Sequence, residues 1–128
     1  MHKGFLKTAF LFAATAVMLG AFGAHGLKKI ISESSLQIFE TGVRYQMYHA
    51  FGLMIAAIIF GTSIQKRIVL AGRLFITGIF IFSGSLYFLA LTGDKFRFVG
   101  AITPIGGSCF IVGWILLFAA TVDKKISL

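Results

Sequence analysis

Residues 74–93 read LFITGIFIFSGSLYFLALTG, an apolar stretch without a charged side chain, bounded by Arg73 and Asp94. A helix of about 20 residues is what crosses the ~30 Å hydrocarbon core of a bilayer. The same pattern recurs on both sides of this run. Uncharged runs at 8–27, 45–65 and 98–122 alternate with clusters that hold all 12 Lys and Arg and all 4 Asp and Glu of the chain. The predicted spans are about 8–26, 45–64, 70–92 and 101–122.

The totals agree with the spacing. The chain has 128 residues, 58% of them hydrophobic and only 12% charged, with a mean hydropathy of +0.94. A soluble domain of this length has too little interior to hide so much apolar surface. The fold class is therefore all-α and membrane-embedded, a four-transmembrane-helix bundle forming a single integral membrane domain over residues 1–128. Lys3, Lys7 and the apolar stretch to Leu19 imitate a signal peptide. The run is long enough to span, and it is expected to be retained.

Small residues supply the contacts between helices. Ala16, Gly20 and Ala24 recur every four residues, as do Gly52 and Ala56, Ala57 and Gly61, and Cys109 and Gly113. Such spacing lets backbones approach closely in lipid, where packing replaces the hydrophobic effect. Cys109, the only cysteine, is read as a packing residue. Between the first two spans, Ser34 and Gln37 suggest a capping box ahead of an apolar stripe of Leu36, Phe39 and Val43. A short amphipathic interfacial helix over about 34–43 is expected, with Gly42 permitting a bend into the second span. Thr103 is expected to cap the last helix and Pro104 to begin it, with Phe98 to Ile102 dipping into the interface.

The net charge of +8 is spread over loops and ends, as membrane flanks rather than as one patch, so nucleic acid is not an expected partner. Lys3, Lys7, Lys66, Arg67, Arg73, Lys124 and Lys125 fall on the side of the termini, against Lys28, Lys29, Arg44, Lys95 and Arg97 opposite. The positive-inside rule then favours cytoplasmic termini.

No Asp, Glu, Lys or Arg lies within a predicted hydrocarbon core, which argues against ion-coupled transport. No nucleotide-binding, P-loop or metalloprotease signature occurs, so no catalytic residue, cofactor or metal is assigned. One constellation remains. The topology places His25 at the end of the first helix and Glu40, Arg44, Tyr45, Tyr48 and His49 at the start of the second, on the side that also holds Thr103. Glu40 with Arg44, and Tyr45 with His49, are i,i+4 pairs. This cluster reads either as an aromatic belt with a salt bridge at the bend, or as a pocket for a headgroup or small anion that uses Arg44, His25 and the start of the last helix. A metal or haem between His25 and His49 is a third reading, though two histidines make a poor ligand set. His2 reads as a solvated terminal residue, and Ser83-Gly84-Ser85 as interhelical hydrogen bonding.

With these residues in view, the chain resembles the family known as domain of unknown function 423. The resemblance rests on Leu19-Gly20-Ala21-Phe22-Gly23-Ala24-His25-Gly26-Leu27 and on Glu40-Thr41-Gly42-Val43-Arg44-Tyr45-Gln46-Met47-Tyr48-His49-Ala50. Further on it includes Ser83-Gly84-Ser85-Leu86-Tyr87, Ile102-Thr103-Pro104-Ile105-Gly106-Gly107 and Gly113-Trp114. It implies a small bacterial inner-membrane protein with four spans and supplies no activity.

The leading expectation is a non-enzymatic bundle that binds membrane lipid or a small ligand, or serves as a partner subunit, self-associating as a homo-oligomer. His25, Glu40, Arg44, Tyr45, Tyr48, His49 and Thr103 are its candidate ligand-binding residues. The alternatives are an oligomeric transporter or channel lined by His49, Thr62 and Ser63, and a membrane redox protein or enzyme using His25, Tyr45 and His49.

Overall fold

The computed structural model describes residues 1–62 and 64–122. Ser63, Lys124 and Lys125, which enter the pore and orientation arguments above, lie outside the described residues. The described chain is all helical. Helix α1 (Lys3–His25) leads through a single 3-10 turn at Leu27–Lys29 to α2 (Glu33–Ile59). Helix α3 (Gln65–Gly78) passes through a π turn, Ile79–Ser83, directly into α4 (Gly84–Thr92). A 3-10 stretch, Gly93–Ala101, then leads to α5 (Thr103–Val122).

Three of these stretches are long and apolar enough to cross a membrane: Lys3–Lys29, Gln65–Ala101 and Thr103–Val122. Four were expected, and α2 is the one that falls short. Its length suffices, but Arg44, Gln46 and His49 dilute its hydropathy. The same helix is the most enclosed of the set, with nine buried residues between Phe39 and Ala57.

The expected interfacial helix and bend are also corrected. Helix α2 runs unbroken through Gly42, whose backbone is closely covered rather than free. A Cβ there would lie 2.7 Å from Cε1 of Tyr87. Glycine serves here to seat an aromatic ring against a straight helix. The cap moves as well: the Ser32 hydroxyl, not that of Ser34, accepts from the Ser35 N–H at 3.1 Å. Ser32 has the extended backbone a cap requires, and Ser34 already lies in the first turn.

The chain reverses at Gly61, where φ is +97°, so Gly61 makes a turn and does not pack against a helix as expected. A second positive φ, +61° at Gly93, ends α4. The 93–101 stretch coils into 3-10 turns with no buried residue. Helix α5 starts at Thr103, one residue before the expected first position, and the Thr103 hydroxyl pairs with Ser85 Oγ at 2.6 Å. His2 is likewise a helix cap and not a solvated end. Its Nδ1 accepts from the Phe5 N–H at 3.1 Å, and its ring stacks on Phe5 at 4.0 Å.

The helices run antiparallel to their neighbours. His2 N–H donates to Ala57 O, while Gly23 lies against Phe39, which aligns α1 with α2. Phe75 sits between Gly52 of α2 and Gly113 of α5, and Gly78 lies against Phe110. The main core gathers Ala56, Ile68, Phe75, Ile79, Phe110 and Leu117, and Leu53 with Phe5 forms a second cluster beside it. Large side chains such as Phe80, Met18 and Phe118 point outward, as lipid-facing residues do in a bundle whose solvent is hydrocarbon.

Candidate functional site

Depth along the bundle follows from the α1–α2 pairing. His2 marks one end and Gly23 nears the other, so Phe12 and Thr15 lie about halfway. There α2 presents Gln46, 4% exposed. Its Nε2 donates to Phe12 O at 2.9 Å and to Thr15 Oγ1 at 2.8 Å. Its Oε1 accepts from the Tyr87 hydroxyl at 2.7 Å. One amide thus ties α1, α2 and α4 together at mid-depth, where water is absent and an unpaired amide would be expensive. Ser83 adds a second tie, its hydroxyl donating to Gly42 O at 2.7 Å. The reading of Ser83 and Ser85 as interhelical hydrogen bonding holds in this geometry. The predicted topology places Tyr87 on the side of the polar cluster but passes over Gln46, although an amide inside an apolar run is itself the signal, because it must find partners.

The candidate residues do not form one pocket. Tyr45, Tyr48 and His49 stay together, but on the side of α2 facing α5. His49 is 5% exposed, and its ring stacks on Phe110 with centroids 3.4 Å apart and planes within 8°. Its Nδ1 lies 2.6 Å from Tyr45 O. A carbonyl only accepts, so Nδ1 carries the proton. His49 is therefore enclosed within the bundle, and not on the outer face that an oligomeric pore would need. Thr62 donates to Ile59 O, one turn back.

His25 is exposed at the end of α1. It lies ten residues beyond Thr15, and His49 lies three residues past Gln46 in the opposite sense. At 1.5 Å per residue the two histidines are about 20 Å apart along the axis. They share no metal or haem, and Tyr45, one residue before Gln46, is about 14 Å from His25 along the axis. Among the described residues no group of three or more His, Cys, Asp or Glu is placed to hold a metal ion. Arg44 is exposed and donates to Thr41 Oγ1 at 3.2 Å, instead of to Glu40. Thr103 is occupied with Ser85.

Glu40 takes part in a different assembly. Glu33, Leu36, Gln37 and Glu40 follow i, i+3, i+4, i+7 spacing, so they share one face of α2. That face, with Ala24, Lys28 and Ile31, lines a cleft of about 560 Å³ at the end of the bundle. The cleft is lined by two carboxylates on α2, by the Lys28 ammonium and by the apolar Ala24, Ile31 and Leu36. It suits an amphiphile that carries charges of both signs.

A family model described as "Protein of unknown function (DUF423)" matches residues 19–107. The chain is similar to a UPF0382 membrane protein of Staphylococcus epidermidis strain ATCC 12228. The two are 50% identical over 119 residues, which cover 93% of this chain and 95% of the relative. The UPF0382 membrane protein YwdK of Bacillus subtilis strain 168 is 46% identical over 121 residues, covering 94% and 97%. No solved structure matches the chain. These relatives are bacterial and carry the name of membrane proteins, not of enzymes. Matched over most of its length, the chain belongs to the DUF423 family and is a multi-pass membrane protein of bacterial type.

Proposed function

We propose that the protein is a lipid-binding bundle that crosses the membrane four times and holds the headgroup of an amine-bearing phospholipid at one interface. Helix α2 serves as the fourth crossing, an inner span whose polar side chains face its neighbours. Its 27 residues reach about 40 Å at 1.5 Å per residue, enough for the hydrocarbon and part of one interface. Termini on the cytoplasmic side follow from an even number of crossings and the larger share of basic residues there.

The observation that carries the reading is the 560 Å³ cleft lined by Glu33, Glu40 and Lys28 together. The lipid ammonium rests between the two carboxylates, its phosphate meets Lys28, and Ala24, Ile31 and Leu36 line the path of the upper acyl chain. The role belongs to Glu40 alone of the seven candidate residues, because the others lie elsewhere. Native mass spectrometry of the purified full chain, offered phosphatidylethanolamine and phosphatidylcholine in equal amounts, tests it. The wild type should retain phosphatidylethanolamine in preference, and the Glu33→Gln, Glu40→Gln double variant should lose that preference. A folded double variant that keeps the wild-type preference for phosphatidylethanolamine would sink the proposal.

A further inference from the structure

The opposite end of the bundle carries a second cleft, of about 350 Å³, lined by Phe60, Gln65, Lys66, Val69, Leu70 and Arg73. Its wall is one face of α3. Lys66, Val69, Leu70 and Arg73 follow i, i+3, i+4, i+7 spacing, so two cations bracket two aliphatic side chains. Phe60 closes the floor from across the turn.

The three cations of the α3 helix are not equivalent. Arg67 turns inward and donates to Ala119 O of α5 at 3.1 Å. Lys66 and Arg73 are exposed and border the cleft, and among the described residues no carboxylate lines it. Arg73 lies eight residues into α3, about 12 Å from the helix start at 1.5 Å per residue. That depth is at or below the headgroups, where a long cationic side chain must bend back toward a polar partner. Arg73 has no ion pair among the described residues to serve as one.

We infer that this cleft is a binding site for an anionic phospholipid, with the phosphodiester held between Lys66 and Arg73 and the upper acyl chain lying on Phe60, Val69 and Leu70. Charge complementarity selects an anion, and basic clefts at a membrane face take acidic headgroups. The apolar floor selects an amphiphile over free phosphate, which would leave Val69 and Leu70 uncovered. This site is independent of the amine-binding cleft: it uses other residues, at the other end of the bundle, with the opposite charge preference.

The test is native mass spectrometry of the full chain with phosphatidylglycerol and phosphatidylcholine in competition. Phosphatidylglycerol should dominate in the wild type. The preference should fall about fivefold for each cation removed in Lys66→Gln and Arg73→Gln, and further in the double variant. A Lys29→Gln, Lys95→Gln variant loses the same charge at the far end and should keep the wild-type ratio. An unchanged ratio in the Lys66→Gln, Arg73→Gln double variant overturns the site. So does an equal fall in the Lys29→Gln, Lys95→Gln variant, which would reduce the preference to net charge. Displacement of the lipid by millimolar inorganic phosphate would assign the cleft to a free anion and overturn the lipid. Failure of the ethanolamine preference in the Glu33→Gln, Glu40→Gln experiment leaves this result untouched.

Discussion

Replacing Gln46 with leucine keeps the volume of the side chain and removes the amide. Three hydrogen bonds go with it, to Phe12 O, Thr15 Oγ1 and the Tyr87 hydroxyl. Interhelical hydrogen bonds within membranes average about 0.6 kcal/mol each, so Gln46→Leu should destabilise the bundle by about 2 kcal/mol. That corresponds to a shift of roughly 30-fold in the unfolding equilibrium. Tyr87→Phe keeps the ring over Gly42 and removes one of the three bonds, and should destabilise by about 0.6 kcal/mol. In the Gln46→Leu background the same change should do almost nothing, because the hydroxyl has already lost its acceptor there. Reversible unfolding by sodium dodecyl sulfate in mixed micelles, followed by far-ultraviolet circular dichroism, measures all four corners of the cycle. A Gln46→Leu protein as stable as the wild type would refute the account of α2 as a helix held by its amide. So would strict additivity of the two substitutions.

Two glycines should respond in opposite ways to alanine. At Gly106 the added methyl would meet the backbone nitrogen of Phe82 at 2.5 Å, and backbone cannot rotate aside, so Gly106→Ala should destabilise by about 1–3 kcal/mol. At Gly84 nothing lies within 4 Å, and the better helix former should leave the melting temperature in detergent unchanged or raised, by at most about 1 kcal/mol in stability. Ser32→Ala removes the cap of α2 and should cost about 1 kcal/mol. Hydrogen exchange should show it as faster exchange at the Ser35 amide and the first turn, with the amides around Gln46 unaffected.

The helices were legible wherever charge punctuates the chain. Arg73 and Asp94 bracket a crossing, and lipid tolerates few alternatives between them. Pairings that depend on a particular neighbour were not legible. Gly42 looks like a hinge until Tyr87 is seen lying on it, 45 residues away in sequence. Glu40 and Arg44 have ideal spacing for an ion pair, yet Arg44 bonds Thr41 while Glu40 lines the cleft with Lys28. Spacing along one helix states which side chains share a face and not what stands opposite. The candidate cluster erred for the same reason. Topology correctly brought His25, Tyr45 and Thr103 toward one half of the bundle, but helix rotation sent each to a different neighbour. Gln46 shows the converse: its role was readable from chemistry alone, since an amide among apolar residues needs partners wherever the helices lie.

The π turn at Ile79–Ser83 has a consequence for how this small bundle tolerates change. A wide turn holds one extra residue, and each residue of a helix advances the chain by about 100°. The two halves of the long crossing are thus out of phase. The lower half offers Phe75 to Gly52 and Gly113, while the upper half swings Tyr87 onto Gly42 and Gln46. Just beyond the widened turn, the Ser85 hydroxyl donates to the Phe82 carbonyl at 2.8 Å. The turn works as a clutch: each half engages its own partners, and sequence drift that rotates one need not be transmitted to the other.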